Sequence, residues 1–402
     1  MVEVTLVDIQ NAKKILKNKV KRTPLIRSAT ISQITECEVF IKYENLQKAG
    51  SFKIRGAYNK IAHLKEEIRR KGVIAASTGN HAQGVAVAAS LFGIPATIVM
   101  PVGAPIPKIE ATRGYGATVE CFGTNFDESF DRAKELEKEN NLTFIHAFDD
   151  PYIIAGQGTI GLEILEDLPD VDVVIAPIGG GGLISGIATA IRTQKPECQI
   201  IGVQSKEMDA AFQSFKKGFL QKISRGYTIA DGIAIKSPSE LTFSIIKSQL
   251  HDIITVDEEE IARAVLILLE RCKSVVEGAG AVSLAALLHR NIVKKGQKIV
   301  LVITGGNIDI TMLGKIITQG LTKAGRYQEV RVIIEDTRDK LDSLLRTVAS
   351  LEANIINMNL DRFSADLPFN QIAVDLTLET KGRDHSETIL EELKKNYNIK
   401  HI

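Results

Sequence analysis

Between about residues 40 and 320, short β-branched apolar runs alternate with helix-length amphipathic stretches, and glycine-rich turns mark the switch from one to the other. That alternation predicts an α/β fold with mainly parallel sheets, because parallel neighbours need a crossover, usually a helix, between them. Val73 to Ala76, Thr97 to Met100, Val171 to Ala176, Ile200 to Val203 and Ile299 to Ile303 read as strands. Gln83 to Phe92 and Ile184 to Arg192 read as helices that follow two of them. In such sheets ligands bind beyond the carboxyl ends of the strands. The glycine clusters fall at those ends.

Near Gly325 the pattern changes. Glu329 to Glu335 reads as a strand, Asp339 to Leu351 as a helix, Ile355 to Asp361 and Gln371 to Leu378 as strands, Ser386 to Lys395 as a helix and Ile399 to Ile402 as a last strand. The order βαββαβ is the split ferredoxin-like unit. Two regions are therefore expected: residues 1–325, with a small lobe at about 40–150 inserted in it, and a separate domain at 326–402.

The 402 residues are 44% hydrophobic, and 50 Lys and Arg against 49 Asp and Glu leave a formal charge of +1. A chain of this kind buries real cores, and nothing in its charge distribution asks for nucleic acid. Cys37, Cys121, Cys198 and Cys272 lie far apart, with no C-x-x-C pair, and read as buried thiols rather than metal ligands. Glu3, Asp8 and Lys13 interrupt any signal-peptide pattern, and no segment nears the roughly 20 apolar residues of a membrane span. A cytoplasmic location is expected.

The segment Lys42 to Ala57 reads K-Y-E-N-L-Q-K-A-G-S-F-K-I-R-G-A. Lys53, beside Phe52, reads either as a Schiff-base nucleophile or as one of many solvated basic residues. A free lysine has a pKa near 10.4, so a catalytic amine must be shifted or tied up as an imine to work near neutrality. Gly179-Gly180-Gly181-Gly182 joins an apolar strand to a helix, where four glycines and a helix N-terminus suit a phosphate. Ser77-Thr78-Gly79-Asn80-His81 also joins a strand to a helix and offers hydroxyls, an amide and helix N–H groups to a carboxylate, or a plain N-cap to its own helix.

Taken in order, Ser51 to Ala57, Ser77 to Gly84, Gly179 to Gly182, Glu277-Gly278-Ala279-Gly280-Ala281 and Thr304-Gly305-Gly306-Asn307 resemble the successive signatures of the threonine and serine dehydratases. These are pyridoxal-phosphate enzymes of the tryptophan-synthase-β type, fold type II, and the resemblance is co-linear over about residues 5–322. It implies pyridoxal 5'-phosphate as cofactor, with Lys53 as cofactor-bearing and catalytic lysine. Phe52, Gly232 and Glu277 would stand around the cofactor, Asn80 on its ring hydroxyl, Gly179 to Gly182 on its phosphate and Thr304 on its pyridine nitrogen. A hydroxyl there leaves the nitrogen largely unprotonated and favours elimination over transamination. Ser77, Thr78, Gly79, Asn80 and His81 would bind the amino-acid substrate, with His81 a packing residue rather than a base.

The implied reaction is dehydration and deamination of L-threonine to 2-oxobutanoate and ammonia, with L-serine to pyruvate as a secondary activity. Serine racemases carry a hydroxyl at the position of Thr78, so racemisation stays open as an alternative. A sensor that keeps the fold without turnover would have been indicated by loss of Lys53, which is present. β-Replacement synthases resemble the chain more distantly. Some relatives bind a divalent metal just after the strand ending in Gly-Val, but Gln204 and Ala210 stand where the carboxylates would be, so no metal is expected. Residues 328–402 resemble an ACT domain, which implies an amino-acid or nucleotide effector and a homodimer or homotetramer. Thr337-Arg338-Asp339-Lys340 replaces the usual Pro-Gly of its ligand turn, which leaves effector binding open.

Overall fold

The computed structural model describes residues 3–224 and 226–400. The chain divides into two compact units at Asp309 and Ile310. The division falls before residue 325 because the helix Ile310–Lys323 packs on the strand Tyr327–Glu335.

Two sheets build the first unit. The larger has the strand order Leu25–Arg27, Glu38–Tyr43, Lys298–Ile303, Val173–Pro177, Gln199–Ser205, Asp252–Val256. Only the edge pair Leu25–Arg27 and Glu38–Tyr43 is antiparallel; the other pairings are parallel. The smaller sheet is parallel throughout, in the order Thr118–Cys121, Ala96–Met100, Val73–Ala76, Thr143–Phe144. Every residue of Val73–Ala76 and of Val173–Pro177 is buried, which is why these strands read as unbroken apolar runs. Helices cover both faces of such strands, so only their ends remain for polar chemistry. The strand ends at Ala76 and Ile303 lead directly into Ser77 and Thr304, and Pro177 leads through Ile178 into Gly179.

A fully buried ionic cluster stands behind the helix Lys53–Ala62. The Arg55 guanidinium donates to Glu44 Oε1 and Oε2, both at 2.8 Å, and to Glu163 Oε1 at 2.7 Å. Lys42 Nζ reaches Glu163 Oε2 at 2.5 Å and Thr23 O at 2.7 Å. Two cations thus face two carboxylates, tying the strand Glu38–Tyr43 and the helices Lys53–Ala62 and Pro151–Asp167 together. Burial opposes the charge on Arg55, yet the two carboxylates outweigh it and hold its pKa above the ordinary value.

In the second unit the order after the helix Ile310–Lys323 is strand Tyr327–Glu335, helix Arg338–Ser350, strands Asn354–Asp361 and Gln371–Glu379, helix Arg383–Asn396 and strand Asn398–Lys400. The four strands form an antiparallel sheet with Gln371–Glu379 and Tyr327–Glu335 at its centre. The expected last strand runs into residues 401 and 402, which lie outside the described residues. Of the predicted apolar face, Leu344 and Val348 are fully buried against Val332, Val374 and Ile389, and Leu341 packs at the edge of that core.

Candidate active site

Loops of the first unit line a cavity whose empty volume, open mouth included, is about 540 Å³. Lys53 opens the helix Lys53–Ala62, so its amine lies at the positive end of the backbone dipole. Its Nζ donates to Ala147 O at 3.1 Å and stands 5.1 Å from the centre of the Phe52 ring. Burial disfavours the ammonium and draws the pKa down to about 8, against the opposing pull of the Glu277 carboxylate. The turn carrying Lys53 is fastened to the neighbouring strand end: Phe52 N–H donates to Thr304 O at 3.2 Å, and Ser51 bridges to Gly305.

Gly179, Gly180 and Gly181 line the cavity opposite. Gly181 is the N-cap of the helix Gly182–Gln194, with φ of +94° and no side-chain cap, so the first N–H groups of that helix are not taken by a side chain. A Cβ at position 180 would overlap the Phe148 ring. Gly182 lies against the Phe148 backbone, where a Cβ would be 3.0 Å from Cα, and is outside the lining.

Asn80, Gly232, Glu277 and Thr304 complete the polar wall. Asn80 Nδ2 donates to Glu277 Oε1 at 2.6 Å, while Asn80 Oδ1 accepts from Asn307 Nδ2 at 2.8 Å. The Glu277 carboxyl is pushed up to about 7, chiefly by burial and also by the nearby Asp231. Asp231, beside Gly232, is paired with Lys108 at 2.8 Å.

The second predicted loop behaves differently. Its helix begins at Asn80 with Gly79 as N-cap and no side-chain cap, so neither Ser77 nor Thr78 caps it. Ser77 Oγ instead accepts the Gly79 N–H at 3.2 Å. Ser77, Thr78 and Gly79 stand beside the cavity and Asn80 alone of the five lines it. One helical position on, about 100° around the axis, His81 faces the other way and meets Ile145 O at 2.8 Å. Burial, with the Lys53 charge, pulls its pKa down to about 3, so the ring is neutral.

Ala147, Phe148, Leu183, Ile233 and Ile235 also line the cavity. Sequence reasoning missed them. Ala147 contributes through its carbonyl, which no residue type advertises, and Phe148 precedes Asp149-Asp150-Pro151, where Asp150 caps the helix Pro151–Asp167 and reads as ordinary loop chemistry.

The family described as pyridoxal-phosphate dependent enzymes matches residues 16–305, a span that contains the whole lining. The chain belongs to that family. It is 50% identical to the L-threonine ammonia-lyase of Thermotoga maritima over 386 residues, 96% of each chain. Among solved structures it is similar to maize serine racemase, with a TM-score of 0.76 and 36% identity over 80% of this chain and 99% of that one. It also resembles the processed threonine deaminase isoform 2 of Solanum lycopersicum, with a TM-score of 0.74 and 36% identity over 78% and 86%.

The residues present fit the family's cofactor. A primary amine with a lowered pKa, an uncapped helix N-terminus behind a glycine loop and an apolar wall meet in one cavity. When bound, pyridoxal phosphate supplies a conjugated ring that accepts the electron pair left at Cα as its proton departs. Among the described residues no group of three or more His, Cys, Asp and Glu is placed to hold a metal. Buried Gln204 accepts the Phe212 N–H through its Oε1 at 2.8 Å.

Because the Glu277 charge raises the Lys53 pKa, Glu277→Gln is expected to lower it further. If Lys53, once free in the substrate complex, must be neutral to accept a proton, the acidic limb of the kcat profile then moves to lower pH. A profile measured from pH 6 to 10 checks this, and an unchanged or opposite shift counts against coupling of the two groups.

Proposed function

We propose that the protein is a pyridoxal-phosphate-dependent L-threonine ammonia-lyase, releasing 2-oxobutanoate and ammonia, with L-serine to pyruvate as a slower reaction. The observation that carries this reading is the Lys53 amine, lowered to about 8 and held in a cavity shared with the glycine loop, in a chain half identical along nearly its whole length to an enzyme of that name. In this reading Lys53 holds the cofactor. As a free, neutral amine Lys53 would take the Cα proton, a task suited to a base whose pKa lies near the working pH. Ala147 O restrains the amine while it is free.

Overall the Cα proton and the β-hydroxyl depart as one water, and the enamine that remains takes up water to give the 2-oxo acid and ammonia. The uncapped N–H groups of the helix Gly182–Gln194 would hold the phosphate. Asn80 would meet the ring hydroxyl, and Thr304 would offer the pyridine nitrogen a hydroxyl. Ser77, Thr78 and Gly79 would take the substrate carboxylate, with Gly232 and Glu277 supporting the rim. Phe148, Leu183, Ile233 and Ile235 provide apolar surface for the β-methyl group.

A buried methyl group discriminates by about 10- to 200-fold, so kcat/KM for threonine should exceed that for serine by roughly tenfold or more. Coupled assays of both 2-oxo acids, with chiral chromatography of residual substrate, test this. Racemised serine as the main product would overturn the reading in favour of a racemase.

For the second unit we infer a role in assembly of a homodimer or homotetramer and in response to an amino-acid or nucleotide effector. The edge strand Asn354–Asp361 exposes Ile355, Ile356 and Met358, and the following loop exposes Phe363 and Phe369 fully, surface that favours association. Isoleucine, valine or a nucleotide should alter the rate or the sedimentation coefficient; if all leave both unchanged, the effector role is abandoned. The four cysteines are free, which supports a reducing, cytoplasmic setting; only Cys37 and Cys198 are the buried thiols expected, Cys272 being half-buried and Cys121 exposed.

A further inference from the structure

We propose that His146 is a positioning residue: its unprotonated Nδ1 holds the turn Ala147–Asp149 so that the Ala147 carbonyl meets Lys53 while Phe148 presses on the glycine loop. The proposal rests on the reading of Lys53 as the cofactor lysine and adds a residue that touches neither substrate nor cofactor in that reading.

His146 Nδ1 accepts two backbone N–H groups, from Asp149 at 2.8 Å and from Phe148 at 3.3 Å. An imidazole nitrogen can do this only without its own proton, which assigns the ring proton to Nε2. Burial disfavours the charged ring, and Lys53 and Lys134 add to that effect, while Asp149 and Asp150 oppose it. The net direction keeps the acceptor available.

The turn is short and anchored at both ends. The strand Thr143–Phe144 enters it, and the Asp150 cap of the helix Pro151–Asp167 closes it. Between these anchors two groups face the cavity: Ala147, whose carbonyl receives Lys53 Nζ at 3.1 Å, and Phe148. The Phe148 ring fills the space a side chain at position 180 would need, and its backbone lies 3.0 Å from where a Cβ at position 182 would be. His146 also supports that ring edge-on, with centroids 4.7 Å apart. One imidazole therefore sets both the resting place of the amine and the wall behind the glycine loop. Without the acceptor, two N–H groups lose their partner and the turn is free to rotate its carbonyls.

The test compares His146→Asn with His146→Leu in the holoenzyme. Asparagine offers a carbonyl oxygen close to where Nδ1 stands; leucine has similar volume and no acceptor. The leucine variant should lose roughly 10- to 100-fold in kcat, as expected when a reacting group is displaced by about 1 Å, with KM changed far less. It should also alter the visible circular dichroism of the bound cofactor and release cofactor faster on dilution. The asparagine variant should recover most of the rate and the wild-type dichroism.

Equal behaviour of the two variants, whether both active or both impaired, would overturn the proposal, because a purely space-filling histidine is replaced at least as well by leucine. If the leucine variant is not recovered folded, His146→Ala against His146→Asn poses the same question. A wild type whose visible band does not depend on Lys53 would instead remove the reading of Lys53, and this inference with it.

Discussion

Lys53→Ala is expected to abolish the visible absorbance of the holoenzyme and to reduce threonine turnover by roughly 10⁴-fold or more, since one amine serves as cofactor anchor and proton acceptor. The size of the loss follows from its surroundings. Among the groups lining the cavity, only Lys53 has an amine, and the neighbouring histidine, His81, is turned onto Ile145 O and held neutral. The other titratable group of the lining, the Glu277 carboxyl, accepts from Asn80 Nδ2 and cannot form an imine with the cofactor, so it does not replace the amine. Lys53→Arg should fail nearly as completely, because a guanidinium keeps its charge and does not form the same linkage. Difference spectra and 2-oxobutanoate assays on both variants check this; substantial turnover in Lys53→Ala would remove the lysine from the chemistry.

The second large effect is on stability. Arg55→Leu is expected to cost about 3–5 kcal/mol, because it leaves Glu44 without the cation that it faces in a fully buried place. Glu163 would keep Lys42 at 2.5 Å and suffer less. Arg55→Lys should recover only part of the loss, since an ammonium cannot reproduce the paired donation to both Glu44 oxygens. Thermal unfolding should show the leucine variant melting several degrees lower. A melting temperature equal to wild type would mean that the cluster is electrostatically neutral to folding, as some buried ion-pair networks are.

The fold was legible where burial is complete. Val73–Ala76 is apolar along its whole length because both its faces are covered, and its bounds agree with those read from the sequence. Thr118–Cys121 and Thr143–Phe144 were not anticipated; they are short and only partly buried, and composition does not separate them from loop. The antiparallel edge pair Leu25–Arg27 and Glu38–Tyr43 was also missed, since three residues with two exposed positions leave no periodic trace.

The site shows the same division. Lys53, Asn80, Gly179 to Gly181, Gly232, Glu277 and Thr304 converge on one cavity, and each belongs to a motif whose residue types carry the chemistry. The serine, threonine and glycine before Asn80 are not in that lining, and the helix starts one residue later than a Thr78 cap, and two later than a Ser77 cap, would place it. Asn307 ends the Thr304-Gly305-Gly306-Asn307 motif, and its amide Nδ2 donates to Asn80 Oδ1 and to the Ala49 carbonyl. Position in space, unlike residue type, comes only with the fold.

The most direct measurement is borohydride reduction of the pyridoxal-phosphate-loaded protein, followed by digestion and mass spectrometry of the modified peptide. Reduction fixes the cofactor to whichever lysine carries it. The account predicts the added mass on Lys53 alone, in the segment Ser51-Phe52-Lys53-Ile54-Arg55. Modification of another lysine, such as Lys108, which pairs with Asp231, with Lys53 unlabelled, would contradict it.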